Sequence, residues 1–222
     1  MNKEKISAVR AALSPARMRT YEAAAGTQGD DDLSALELYA WNAEISGAFL
    51  PLLHVCEVVT RNAIADVLET VYGPQWPWSL ALERSLPNPL QGYSPRKDLQ
   101  NARRFATTGK VIPELKFVFW QKMFTSRYDA RLWNSHLLRV LPNMNAVKSV
   151  AALRESIYND LEQLRNLRNR IAHHEPIFAR HLSSDYERIL KLVTYRCATT
   201  AAWLNEHQRA TTVIAAKPVA TI

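Results

Sequence analysis

A chain of 222 residues, 47% apolar and 22% charged, is long enough to bury a sizeable core and has the composition of a globular protein. Its net charge of +7 and pI of about 9.5 favour an anionic partner, nucleic acid foremost. Its two cysteines, Cys56 and Cys197, are far apart in apolar helical stretches, which excludes a disulfide framework or a Cys-x-x-Cys metal site and reads as two buried free thiols.

Glycines are few and apolar residues recur at three- and four-residue spacing, so the expected fold class is all-α, a helical bundle built as one main domain. Lys3 to Leu13 reads as a short helix, and Ser14-Pro15 supplies the N-cap and N1 proline of a second that stops at Gly26. Residues 1–32 are thus an N-terminal helical appendage, 33–209 the main domain and 210–222 a tail with no visible partner. After the acidic turn Thr27 to Asp32, either Asp32 or Ser34 caps the next helix. Leu36, Tyr39, Ala43 and later Leu50, Leu53 and Val58 carry an apolar face through two helices that Pro51 kinks or separates, the second ending at Gly73. On that second helix Glu57 and Arg61 have the four-residue spacing of an ion pair.

Pro74 to Tyr93, with Pro77, Pro87, Pro89, Trp76 and Trp78, reads as an ordered irregular connection rather than a helix. From Ser94 to Arg131 nine basic side chains stand against three acidic ones, interleaved with aromatic residues from Phe105 to Trp133. Spacing such as Phe117, Trp120, Phe124 makes the rings core, while the cations make a basic RNA-tracking face with Arg96, Lys97, Arg103, Arg104 and Lys110 as contacts; the two readings are compatible. One helix follows from Asn143 to Ala172, then a link through Pro176 and a last helix from about Ser184 to Gln208. The N-terminal MNKEKISAVR is charged throughout, and the most apolar window, Gly47 to Val59, is broken by Pro51, His54 and Glu57. Neither secretion nor membrane spanning is expected, and the expected location is the cytoplasm.

The chemistry concentrates in LEQLRNLRNRIAHHEPIF, Leu161 to Phe178. Leu161, Leu164 and Ile171 pin one stripe of the helix, which holds the polar residues between them. His173 can take or give a proton near neutral pH, Arg168 presents a permanently charged planar fork suited to phosphate, and Asn169 can orient one of them. A plainer reading is that cations at a helix C-terminus gain roughly 0.3–1 kcal/mol from the dipole. His173, His174, Glu175 and His181 lack the spacing of a zinc site, and no metal or other cofactor is expected. Helical geometry sets Arg168 about 140° from His173. Either the helix ends before His173, or a second chain completes the site.

The order Arg168, Asn169, Arg170, Ile171, Ala172, His173 resembles the arginine-to-histidine signature of the HEPN superfamily, and the fuller RNRIAHHEPIF resembles its Abi-like branch, the AbiD- and AbiF-type abortive-infection proteins of bacteria. A second block, LELYAWNAEISGAFLPLLHVCEVVTRNAIADVLETVYGPQW from Leu36 to Trp76, resembles the N-terminal half of that branch, with its tyrosine, Trp-Asn pair and Glu-x-x-x-Arg-Asn. The resemblance spans roughly Leu13 to Gln208. It implies a homodimeric, metal-independent endoribonuclease in anti-phage defence, a toxin acting on RNA, with Arg168, Asn169 and His173 catalytic and His174, Glu57, Arg61 and Asn62 supporting them. Toxins of this kind silenced by nucleotidyl transfer carry a tyrosine two residues after the histidine. Here that place is Glu175, so control by modification of that tyrosine is not expected; what restrains the chain is left open, with a small RNA or a protein inhibitor as the candidate partners. The alternative from another class is a non-cleaving RNA-binding partner of a structured small RNA. A nucleotide-binding regulatory module lacks a Gly-rich phosphate loop.

Overall fold

In the computed structural model, which describes residues 1–27 and 32–218, every regular element is helical, as the apolar spacing requires. Helix α1, Lys3–Leu13, is capped by Asn2, whose Oδ1 accepts from the Lys5 amide at 3.0 Å. Helix α2, Pro15–Ala25, begins at Ser14 and closes at Gly26 in the left-handed region (φ 67°), where a glycine carries no Cβ penalty. Residues 28–31 of the acidic turn lie outside the described residues; Asp32 Oδ1 accepts from the Ser34 amide at 2.8 Å at the entry to the next helix.

Helix α3, Ser34–Tyr72, is the axis of the molecule. It runs unbroken for 39 residues through Pro51, so the expected pair of helices is one. Pro51 is exposed, and the loss of one hydrogen bond there is outweighed by the burial of Phe49, Leu52, Leu53 and Cys56 on both sides of it. By length and mean hydropathy (1.3) α3 could cross a membrane; here its inward face packs against α2, α10 and α12.

The connection after Gly73 is ordered, as expected, but it is not wholly irregular. A 3-10 turn, Trp76–Trp78, leads into α4, Leu80–Ser85, before the chain loops to α5, Pro95–Ala102. Helices α6 (Thr108–Glu114) and α7 (Phe117–Lys122), a 3-10 turn at Ser126–Tyr128, a π-helical turn at Asp129–Trp133 and α8 (Asn134–Val140) follow. Phe117, Phe119, Trp120, Phe124, Tyr128 and Trp133 are all buried; Phe124 stacks on Trp133 at 4.5 Å and Trp76 meets Trp120 edge-on. These rings are core, as their spacing leads one to expect.

Helix α9, Val150–Ala172, starts seven residues later than expected. Asn143 is instead tied to α10 by its amide to Tyr195 O and its side chain to Thr194 O, and Ser149 caps the helix. The last expected helix divides into α10, Leu182–Arg196, and α11, Ala198–His207, at Cys197, whose backbone is extended. Cys56 is buried, and burial pushes its thiol up to about 12; Cys197 is only half-buried, and hydrogen bonding from Thr200 lowers its pKa.

Helices from both terminal segments join the core. Met18 and Tyr21 of α2 are buried in it, and α12, Ala210–Ala215, lies on α3 with Val213 O accepting from Trp41 Nε1 at 2.7 Å. The N-terminal segment is therefore not an appendage, and residues 210–215 are not a free tail. Residues 219–222 lie outside the described residues.

Candidate functional site

The end of α9 is fixed from its whole length. Arg154 pairs with Asp129 at 2.9 Å, and Arg165 Nε donates to the fully buried Gln121 at 2.7 Å. Asp160 meets Lys191 at 2.5 Å, and Asp185 binds Arg180 through both carboxylate oxygens and Arg188 through one. Each of these partly or fully buried carboxylates has a cation, the condition under which buried charge is tolerated. Leu161, Leu164, Leu167 and Ile171 supply the apolar stripe.

At its C-terminus the helix keeps one more i→i−4 bond, His173 N–H to Asn169 O at 2.9 Å, and then reverses. The His174 amide donates to Ile171 O and the Glu175 amide to Arg170 O, the paired 5→2 and 6→1 bonds of a Schellman motif, with His174 left-handed at φ 55°. Arg170 Nε donates to Pro176 O, Arg17 Nη1 to His174 O at 2.5 Å, and the Ile177 amide to the buried Asn42 Oδ1 at 2.7 Å. Phe178 packs on Tyr21, which packs on Tyr39. The turn is therefore held by α2 and α3 together.

On this frame Arg168, His173 and His174 are exposed and Asn169 is half-buried. Because position 173 keeps its helical hydrogen bond, Arg168 stays about 140° around the axis from it, although the helix ends at Ala172. Among the described residues the side chains of Arg168, Asn169, His173 and His174 have no hydrogen-bond or ion-pair partner, whereas Arg165, Arg170 and Arg180 are all engaged. His174 borders two cavities, one of about 320 Å3 with Tyr39, Asn42 and Ser46, the other of about 340 Å3 with Arg17 and Thr20. No three His, Cys, Asp or Glu side chains among the described residues stand close enough to hold a metal ion.

Glu57, Arg61 and Asn62 are not brought to this end within one chain. Asn42 is the part of α3 that holds the turn, and Glu57 follows it by fifteen residues, roughly 22 Å further along the same helix. The expected Glu57–Arg61 ion pair is not formed, and Arg61 Nε is buried without a partner. The groups that do surround the motif are Arg17, Tyr39, Asn42 and Ser46. Tyr39 and the Trp41-Asn42 pair stand out in the sequence, but Arg17 gives no signal, since nothing local says that α2 docks there.

The basic stretch divides in two. Arg96 caps the C-terminus of α4 by donating to Arg84 O and Leu86 O, and Arg103, 17% exposed, is clamped to Glu83 and to Pro77 O. These two arginines hold the fold together and are not free for RNA. Lys97, Arg104 and Lys110 are exposed; Arg104 has only a 3.4 Å contact with Glu114 and lies over Phe105. No family model matches the chain, and no curated protein or solved structure is significantly similar to it.

Proposed function

We propose that this chain is a metal-independent endoribonuclease of the HEPN type, acting in bacterial abortive infection as a homodimer. The observation that supports this reading most is the contrast among the arginines near the end of α9: its neighbours are bound into the protein, while Arg168 and His173 stand exposed and unpartnered on a rigid helix end. A fork of donors and an imidazole held in that way are suited to an external phosphodiester.

In the reaction a base takes the proton of the 2′-hydroxyl, and its oxygen bonds to phosphorus as the bond to the 5′-oxygen breaks. An acid protonates that leaving oxygen, giving a 2′,3′-cyclic phosphate and a 5′-hydroxyl. His173 performs one transfer, and with Arg168 about 140° away on the same helix, a second copy of the motif supplies the other. Arg168 neutralises the charge that the phosphate gains in the transition state, and Asn169 orients the imidazole. Lys97, Arg104 and Lys110 track the strand.

The test is cleavage of RNA by the wild type, His173→Ala and Arg168→Ala. Removing the acid-base group costs about 10²–10⁴ in rate and leaves RNA binding intact. Arg168→Ala lowers both cleavage and binding, and lysine at that position restores only part. RNA bound but never cut, with His173→Ala silent, would leave the chain a binding protein.

A further inference from the structure

A separate cavity of about 490 Å3 opens between α5, the end of α7 and the 3-10 turn that follows it. Its walls are two prolines, Pro87 and Pro95, two phenols, Tyr93 and Tyr128, and two cations, Lys122 and Arg127. Lys122 Nζ donates to the Tyr158 hydroxyl at 2.7 Å, and Tyr158 precedes His173 on α9 by fifteen residues. The cavity therefore lies roughly 22 Å along that helix from the motif.

Its electrostatics are one-sided. No acidic residue lines it, and neither Lys122 nor Arg127 has an ion-pair partner among the described residues; Arg127 donates only to Ser85 O. Two carboxylates beside the lining residues are occupied, Asp98 by the Tyr93 hydroxyl and the Lys116 amide, Asp129 by Arg154. Burial holds Tyr93 and Tyr128 well above the usual phenol range, Tyr128 at about 12, so both rings stay neutral. Tyr128 is 3% exposed, and its hydroxyl has no hydrogen-bond partner among the described residues.

We propose that this cavity binds one nucleotide unit, with its base against Pro87 and Tyr93, the two partly exposed apolar walls, and its phosphate on Lys122 and Arg127. A volume of this size suits a small ligand, and apolar walls with a few convergent polar groups are the usual composition of such sites. Rings accept any base by stacking, and the paired cations select the phosphate. The source is either a free mononucleotide or one nucleotide splayed from an RNA strand. Either way the site is distinct from the end of α9 and does not depend on cleavage there.

Calorimetric titration of the intact protein with the four ribonucleoside 5′-monophosphates, inorganic phosphate and a short unstructured RNA tests this, because no cleavage is read. Saturable binding of at least one mononucleotide is expected, or of the oligonucleotide alone if RNA is the source. Arg127→Gln should weaken it about tenfold or more by removing a charge-assisted contact. Ser126→Trp, which fills the opening, should abolish it, with melting curves of both variants confirming the fold. Absence of any saturable nucleotide or RNA binding, phosphate alone binding as tightly as a nucleotide, or affinity unchanged in a folded Arg127→Gln would each overturn the assignment.

Discussion

His174 shows how much the motif depends on single backbone positions. A left-handed conformation is usually given to glycine at this place in a helix C-cap, and histidine there carries a Cβ penalty of about 1 kcal/mol or more. His174→Gly should therefore raise stability, by a few tenths to about 1 kcal/mol once the freer unfolded chain is counted. Thermal unfolding measures this, and a loss of stability would mean that the imidazole makes contacts that offset the strain. At the basic stretch the same logic separates two adjacent arginines. Arg104→Glu, at a side chain 73% exposed, should change stability by no more than about 0.5 kcal/mol while weakening RNA binding. Arg103→Glu should cost more than that, because it sets a carboxylate against Glu83 and frees Pro77 O. Equal melting temperatures for the two would show the clamp to be slack. The cysteines divide likewise: in the folded protein at pH 8, Cys197 should react with a thiol reagent and Cys56 should not, until denaturant exposes it.

Helix boundaries were legible wherever a local residue decides them, as at Ser14-Pro15, Gly26 and Gly73, where cap chemistry acts over three or four residues. They were not legible where distant packing decides. Pro51 reads as a breaker, yet α3 passes through it because the buried residues on either side outweigh one missing bond. Asn143 reads as helical until Thr194 and Tyr195 claim it, and the roles of Arg17 and of α12 exist only once α2 and α12 have docked on α3. That Arg168, Asn169 and His173 stand together at one helix end was legible because they lie within six residues of one another; the residues that hold the turn after them come from two other helices. Pro51→Ala is the direct measure of the element-scale claim. Restoring the amide in an exposed turn of α3 should stabilise the protein by about 1–3 kcal/mol in denaturant unfolding. A destabilised variant would mean that the proline bend is needed for α3 to reach its neighbours.

At the scale of the molecule, α3 organises one core that takes in α2 and α12, and α9 delivers its exposed Arg168 and His173 from a buried, ion-paired shaft. On the proposed reading a second copy completes a site whose two halves lie about 140° apart on one helix, and light scattering at tens of micromolar should then give the mass of a dimer. A monomer there would contradict the shared site. RNA affinity should fall steeply with added salt, because its phosphate contacts release counterions. The central claim is that His173 moves a proton in cutting RNA. It is tested most directly by incubating wild type and His173→Ala with a defined single-stranded RNA in the presence of EDTA and determining the product ends. The account predicts wild-type products with 2′,3′-cyclic phosphate and 5′-hydroxyl ends, inertness of a substrate that is 2′-deoxy at the cut, and loss of cleavage in a folded His173→Ala that still binds RNA. Cleavage that survives His173→Ala, or that requires added metal, would contradict it.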